Sequence, residues 1–310
     1  MAELTQSVPL RINIGRLKQA RRKPAQFYVG RFFFILLIIG ILLYTLFPFY
    51  WAVATSLKTN AELVQTPPLY FPRSLDTSHY RAVFEDPSFR VALKNSVIVA
   101  VASIVIALIV GSLAAYAIGR FNFRGKKPTM YLILSMTMFT AIAILGSLYD
   151  MLRWAGDQPV IGRFFGLNSL PSLVFAYTTF TLPFMVWVLA NFYRSMPAEL
   201  EQAALVDGAT PFRAFYQILL PLAAPGIATT ALLAFIASWN EFLFASTFTI
   251  TTNKRTVPVA IANFAGNSQY DLPWGNIMAA SVVVTIPLIV LVLLLQQKIV
   301  SGLTAGAVKG

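Results

Sequence analysis

Along the 310 residues, long apolar runs alternate with shorter polar stretches. Crossing a hydrocarbon core of ~30 Å takes about 20 residues of helix. Six runs have that character: Phe32 to Ser56, Ser96 to Ile118, Thr129 to Leu148, Ser172 to Tyr193, Gly226 to Ile250 and Asn276 to Gln296. The pattern predicts an all-α polytopic membrane protein with six transmembrane helices. The first run follows Arg11, Arg16, Lys18, Arg21, Arg22, Lys23 and Arg31, exceeds a signal-peptide core in length and ends without a small-x-small cleavage pattern, so it is expected to be an uncleaved first span. Residues 57–95, with Pro67, Pro68 and Pro72, are expected to form an ordered external loop. Within it, Asp86-Pro87 is an N-cap with proline at the first helical position, predicting a surface helix before Asn95. The second run carries Ser103, Ala107, Gly111, Ala115 and Gly119 at four-residue spacing, a stripe that permits close helix packing. Residues 149–171 and 251–275 are read as further external loops, and Pro183 as a kink in the fourth span.

Between the fourth and fifth runs lies the polar stretch Glu201-Gln202-Ala203-Ala204-Leu205-Val206-Asp207-Gly208-Ala209 and its continuation to Pro225. Ala198 to Asp207 favours helix, Gly208 offers the positive φ that ends one, and Thr210 caps a new helix with Pro211 at its first position. The prediction is a helical hairpin whose second arm presents Phe212, Phe215, Ile218 and Leu219 for packing.

Composition narrows the chemistry. Hydrophobic residues make up 57% of the chain and charged residues 12%, with a mean hydropathy of +0.68. Zero cysteines and one histidine, His79, exclude disulfides, thiolate metal sites and a His-rich zinc site. The +12 net charge flanks the spans rather than forming a nucleic-acid face. With both ends inside, 15 of the 24 Lys and Arg residues fall in inner segments, which places the hairpin in the cytoplasm. Gly119 to Lys126 fails as a phosphate loop, with five residues between its glycines and no Ser or Thr after the lysine. ATP, if used, binds elsewhere.

Glu241 is the one acid within a predicted span and is expected to face protein or a water-filled path. With Ser238, Trp239 and Asn240 it offers a stacking surface and hydrogen-bonding groups suited to a polyhydroxylated solute, or else a polar clamp between helices. The scarcity of other charge in the spans argues for a neutral solute.

Gln202-Ala203-Ala204, Gly208 and Ile218-x-Leu220-Pro221 resemble the E-A-A-x3-G-x9-I-x-L-P loop of bacterial ABC importer permeases, with Gln202 in place of the signature glutamate and the carboxylate on its neighbour Glu201. Leu182-Pro183-Phe184, Trp239-Asn240-Glu241-Phe242 and the terminal Gly-Leu-Thr-Ala-Gly-Ala-Val-Lys-Gly extend the resemblance to the binding-protein-dependent carbohydrate-importer branch, the MalG-like family. The resemblance implies a type I ABC importer permease fold and an inner-membrane, non-enzymatic pathway subunit. It implies a cytoplasmic N-terminal tail at 1–31, a permease domain at 32–300 with the coupling loop at 194–225, and a cytoplasmic C-terminal tail at 301–310. Glu201, Gln202, Ala203, Ala204, Asp207, Gly208, Ile218, Leu220 and Pro221 would then couple to an ATPase. The partners implied are a second permease subunit (MalF-like), an ATPase dimer (MalK-like) that binds ATP and Mg, an extracytoplasmic sugar-binding protein facing Thr251 to Gly275, and membrane lipid. This chain itself would hold no cofactor. An ion-coupled secondary transporter of a small neutral solute is the alternative, and it predicts intramembrane charge pairs or an internal repeat.

Overall fold

The structure is a computed structural model that describes residues 25–264 and 273–307. It divides into two units, residues 1–51 and 52–310. The described part of the first is most of helix α1 (Ala25–Ser56), which is uninterruptedly apolar from Phe32 to Leu43 and contains Pro48.

In the second unit, α2 (Asn60–Leu63) and α3 (Ser78–Glu85) organise the stretch before the second span. A reciprocal cap starts α2: Glu62 donates its N–H to the Thr59 hydroxyl, and the Glu62 carboxylate accepts from Thr59 N at 3.0 Å and from Arg73 N at 3.0 Å. These bonds hold the Glu62 carboxyl below its ordinary range, the Thr59 N–H being the largest cause. His79 is buried on α3, its Nδ1 2.8 Å from Asn276 Oδ1 and its Nε2 3.0 Å from the Lys58 carbonyl.

Asp86 does cap a helix with Pro87 at its start, but that helix does not end before Asn95. It continues as α4 (Pro87–Arg120), with no proline after its first position to interrupt it. The predicted third span is broken: α5 (Lys126–Met136) and α6 (Ala141–Gly156) meet at 94°. The hydroxyls of Ser135 and Thr137 capture the Leu132 and Leu134 carbonyls, and three-residue backbone bonds tighten the end of α5, so the helix closes where hydropathy alone carries it on. Helix α6 also extends past Leu148 into what was expected to be loop.

Helix α7 (Leu170–Ser195) contains Pro183. The hairpin follows as α8 (Glu199–Val206), α9 (Pro211–Ala214), a single π turn at Phe215–Leu219 and α10 (Leu220–Leu222). The predicted fifth span comprises α11 (Ala224–Trp239) and, after a break, α12 (Leu243–Phe248). The segment Pro211–Leu222 meets α11 at 73°. After α13 (Val257–Ala262), α14 (Trp274–Ala307) runs seven residues into the stretch read as a C-terminal tail. The N-terminal tail, apart from its last residues in α1, lies outside the described residues, as do 265–272 and 308–310. Among the described residues, four helices are long and apolar enough to cross a membrane, and six spans result when each bent pair counts as one.

The spine of the unit is α4 against α7. Ser103, Ala107 and Ala115 are fully buried, a Cβ on Gly111 would stand 3.4 Å from Leu182 Cδ1, and one on Gly119 would stand 3.1 Å from both the Ala190 carbonyl oxygen and Tyr193 Cβ. The small-residue stripe thus lets the two backbones approach where a larger side chain would hold them apart. At the end of α4 away from the hairpin, Asn95 donates to the Asn253 and Arg255 carbonyls at 3.0 and 2.9 Å, and Ser96 accepts from Val257 N at 2.8 Å. Asn168, at φ 62°, accepts from Ile250 N and Thr251 N and so fixes the same segment from its other side.

Candidate functional site

The hairpin is built by local chemistry. The Gly208 N–H bonds the Leu205 carbonyl at 3.1 Å and the Ala209 N–H bonds the Ala204 carbonyl at 2.9 Å, the paired bonds of a Schellman motif, with Gly208 at φ +84°. Thr210 then accepts from Arg213 N at 3.2 Å, and Pro211 opens α9. Only Gly208 and Ala209 separate the residue closing α8 from the residue capping α9, so the angle between the arms is set by bonded geometry.

One side of the hairpin is buried. Ala214 is buried, Phe215 and Leu219 pack with Tyr116, Leu189 and Tyr193 from α4 and α7, and the Phe215 ring lies 4.8 Å from that of Tyr116. Phe215 and Leu219, four residues apart at the two ends of the π turn, both face inward. The predicted apolar face is therefore split: Phe215 and Leu219 are inside, Ile218 is half-buried and Phe212 is exposed. Leu205, Val206, Phe212 and Tyr216 form an exposed apolar surface beside Gln202, Ala203, Asp207 and Gly208, which are also exposed. Leu220 is half-buried and Pro221 exposed at the joint with α11.

Glu201, expected from the resemblance to couple to an ATPase, is half-buried. It turns into its own chain: Oε1 accepts from the Tyr116 hydroxyl at 2.6 Å, and Oε2 lies 3.2 Å from Arg120 Nε. The Arg120 and Glu201 side chains are only 9% and 14% exposed. Nη1 and Nη2 of Arg120 donate to the Met196 and Pro197 carbonyls at 3.1 and 3.2 Å, while Nε makes a charge contact rather than an aligned hydrogen bond. The Tyr116 hydroxyl also stands 3.3 Å from the Pro211 carbonyl. No motif in the sequence marks Tyr116 and Arg120 as site residues. The available signal was their four-residue spacing beside Ala115 and Gly119, which puts two hydrogen-bonding side chains at the end of the packed stripe.

The second group, Ser238, Trp239, Asn240 and Glu241, falls at the break between α11 and α12 and does not form one site. Trp239 is buried, stacks on Phe235 at 5.3 Å and donates to the Val284 carbonyl at 3.2 Å. Asn240 is exposed and bonds back to the Ile236 carbonyl. Glu241 accepts from Phe244 N at 2.7 Å with one oxygen and from Ala245 N at 3.1 Å with the other, capping α12. Ser238 and Glu241 line a cavity of about 70 Å³ with Ala141, Tyr177, Phe180 and Thr181. The Tyr177 hydroxyl there is buried without an aligned partner. Among the described residues no group of three His, Asp or Glu side chains is placed to hold a metal ion.

Long and broken apolar helices around a tightly packed helix pair, with a pre-shaped hairpin at one end, define a multi-pass membrane protein. The chain matches the family described as the binding-protein-dependent transport system inner membrane component over residues 107–304, and it belongs to that family, as a permease component of an ABC transporter rather than an enzyme. It is 41% identical over 274 residues to the trehalose transport system permease protein SugB of Mycobacterium tuberculosis (strain CDC 1551 / Oshkosh), covering 88% of this chain and 95% of that protein. It is 40% identical over 281 residues to the trehalose/maltose transport system permease protein MalG of Thermococcus litoralis, covering 89% and 97%. A chain in the crystal structure of a bacterial ABC transporter involved in the import of the acidic polysaccharide alginate shares the fold, with a TM-score of 0.71 at 22% identity over 87% of this chain and 97% of that one.

Proposed function

We propose that this chain is one of two permease subunits of an ATP-driven importer of a neutral sugar, an oligosaccharide or related polyol, received from an extracytoplasmic binding protein. The observation that carries the reading is the hairpin at 194–225, whose Schellman turn and buried Phe215 and Leu219 leave Gln202, Gly208, Phe212 and Tyr216 as a rigid exposed surface. A surface of that kind suits a cleft on an ATPase dimer, which would bind ATP and Mg. Gln202 meets that partner through an amide, a polar contact without the charge of the signature glutamate.

The reading places both termini in the cytoplasm, with tails at 1–31 and 301–310, and puts the segment Thr251 to Gly275 toward the binding protein. Closure of the ATPase dimer on ATP draws the hairpin with it, and α4 and α7, packed through Gly111 and Gly119, follow as one body. Hydrolysis resets the arrangement. The engagement of both Glu241 oxygens in a helix cap supports a neutral cargo, because that carboxylate is already occupied by backbone N–H groups. The names of SugB and MalG, with trehalose and maltose in them, support a disaccharide-sized sugar.

The test is affinity copurification from the native membrane, followed by ATPase assay with the copurified binding protein and with trehalose or maltose. Recovery of a second permease and an ATPase stimulated by the loaded binding protein is expected. A chain that purifies alone and transports in liposomes on an ion gradient overturns the reading.

A further inference from the structure

Helix α8 carries the surface offered to the ATPase, yet it is poorly anchored by apolar contact. Of its eight residues only Ala204 is buried, while Leu200 and Leu205 are about 40% exposed and Val206 is 87% exposed. An alanine methyl resists neither rotation nor sliding of a two-turn helix. Beyond the turn that joins α8 to α9, the polar contacts that hold α8 to the body come from Glu201: a hydrogen bond from Tyr116 and a charge contact with Arg120, one turn apart at the end of α4.

We infer that Tyr116, Arg120 and Glu201 form an internal latch that sets the orientation of α8 and makes the hairpin move with α4, so that Glu201 acts in coupling through its own chain and not by touching the ATPase. This inference rests on the coupling role proposed above for the hairpin.

The geometry gives each residue a separate task. Arg120 ties the end of α7 to α4 through the Met196 and Pro197 carbonyls, closing off backbone groups that a helix end leaves free. It also brings a positive charge to Glu201 Oε2 at 3.2 Å. Tyr116 fixes the other carboxylate oxygen and sits against the Phe215 ring, joining the latch to the apolar packing of the second arm. Because successive residues of an α-helix are turned by about 100°, anchoring Glu201 inward turns Gln202 outward, and Gln202 is exposed. The pair is partly desolvated, so removing one partner leaves the other in a site built for two. The bond from a neutral hydroxyl to a carboxylate is charge-assisted, so Tyr116→Phe removes a strong contact with little change of shape.

The experiment uses the whole importer, this chain with its partner permease, ATPase and binding protein, in proteoliposomes. It compares wild type with Tyr116→Phe, Arg120→Met, Glu201→Gln and the double variant Tyr116→Phe/Glu201→Gln. Copurification of the ATPase, ATP hydrolysis and sugar uptake are each measured, and the readout is sugar moved per ATP hydrolysed.

The latch predicts that the ATPase still copurifies and hydrolyses ATP while sugar per ATP falls about tenfold, the equivalent of about 1.4 kcal/mol of lost coupling. The double variant is expected to be no worse than Glu201→Gln alone. Arg120→Lys, which keeps the charge, is expected to recover part of the ratio. Loss of ATPase copurification in Glu201→Gln, with Tyr116→Phe and Arg120→Met unaffected, means that Glu201 touches the ATPase and overturns the latch. Fully coupled transport in all three single variants overturns it too, as does a parallel fall in hydrolysis and uptake that Arg120→Lys does not relieve. Failure of wild type to recruit any ATPase would instead refute the hairpin's proposed role, so the two failures are distinct.

Discussion

Gly208 provides a quantitative test of the hairpin, because its conformational and steric demands separate cleanly. It stands at φ +84°, and a Cβ added there would meet nothing within 4 Å in this chain. The whole intramolecular penalty of a side chain is therefore backbone strain. For alanine in the left-handed region that is roughly 1–2 kcal/mol, which lowers the population of the native turn by a factor of about 5–30. Asparagine tolerates the region better, and a β-branched residue tolerates it worse. Initial rates of ATP-dependent sugar uptake by the reconstituted importer are expected to fall in the order Gly208→Asn, Gly208→Ala, Gly208→Val, with membrane insertion unchanged. Gly208→Asp has the shape of asparagine, so any loss beyond that of Gly208→Asn reads the charge of the docked partner. Equal losses for Asn, Ala and Val would refute the argument, since they would show that free space outside the chain, and not φ, is what the glycine supplies.

Three further expectations follow from the geometry. Gly119→Ala puts a Cβ 3.1 Å from the Ala190 carbonyl oxygen and is expected to destabilise the α4–α7 pair by about 1–3 kcal/mol, whereas Gly111→Ala, at 3.4 Å from a movable Leu182 methyl, is nearly neutral; thermal unfolding in detergent that ranks them the other way contradicts the packing account. Glu241→Ala removes both acceptors at the start of α12, at a cost of about 0.5–2 kcal/mol, and Glu241→Gln keeps part of the cap; faster hydrogen exchange at Phe244 and Ala245 is the check, and unchanged exchange speaks against it. The Glu62 carboxyl is held below its ordinary value of 4.5, so its contribution to folding is fully present above that pH and is lost as pH falls through the lower folded value. A fluorophore on Val64→Cys, unique in a chain with no cysteine, is expected to gain mobility only below about pH 4.5, and the same acid transition in Glu62→Gln would remove Glu62 as its cause.

Features written in neighbouring residues were legible in the sequence. Gly208, Thr210 and Pro211 gave the hairpin because a left-handed stop, a side-chain cap and a donor-free first position are local demands. The stripe from Ser103 to Gly119 was legible for a similar reason, since four-residue spacing is enough to define one face of a helix. The breaks were not. Hydropathy continues through Thr137 to Thr140 while hydroxyls quietly take the carbonyls, and Glu241, read as a charge at membrane depth, is the residue that restarts a helix. Nor was the latch legible, because Tyr116 and Glu201 stand 85 positions apart and only the tertiary fold brings them within 2.6 Å.

Helix α4 differs from the other long helices in one respect. Helices α1, α7 and α14 each contain an internal proline, at 48, 183 and 287, whereas the proline of α4 sits at its first position. Its 34 residues make a beam of about 51 Å, well beyond a hydrocarbon core of ~30 Å. Asn95 grips the segment at Asn253 and Arg255 toward one end, and Arg120 grips the hairpin root at the other. Such a beam behaves as a see-saw: a tilt of about 10° around its middle carries the two ends roughly 4 Å in opposite directions. With no proline beyond its first position, the helix links a tilt at the far segment to an opposite displacement at the hairpin.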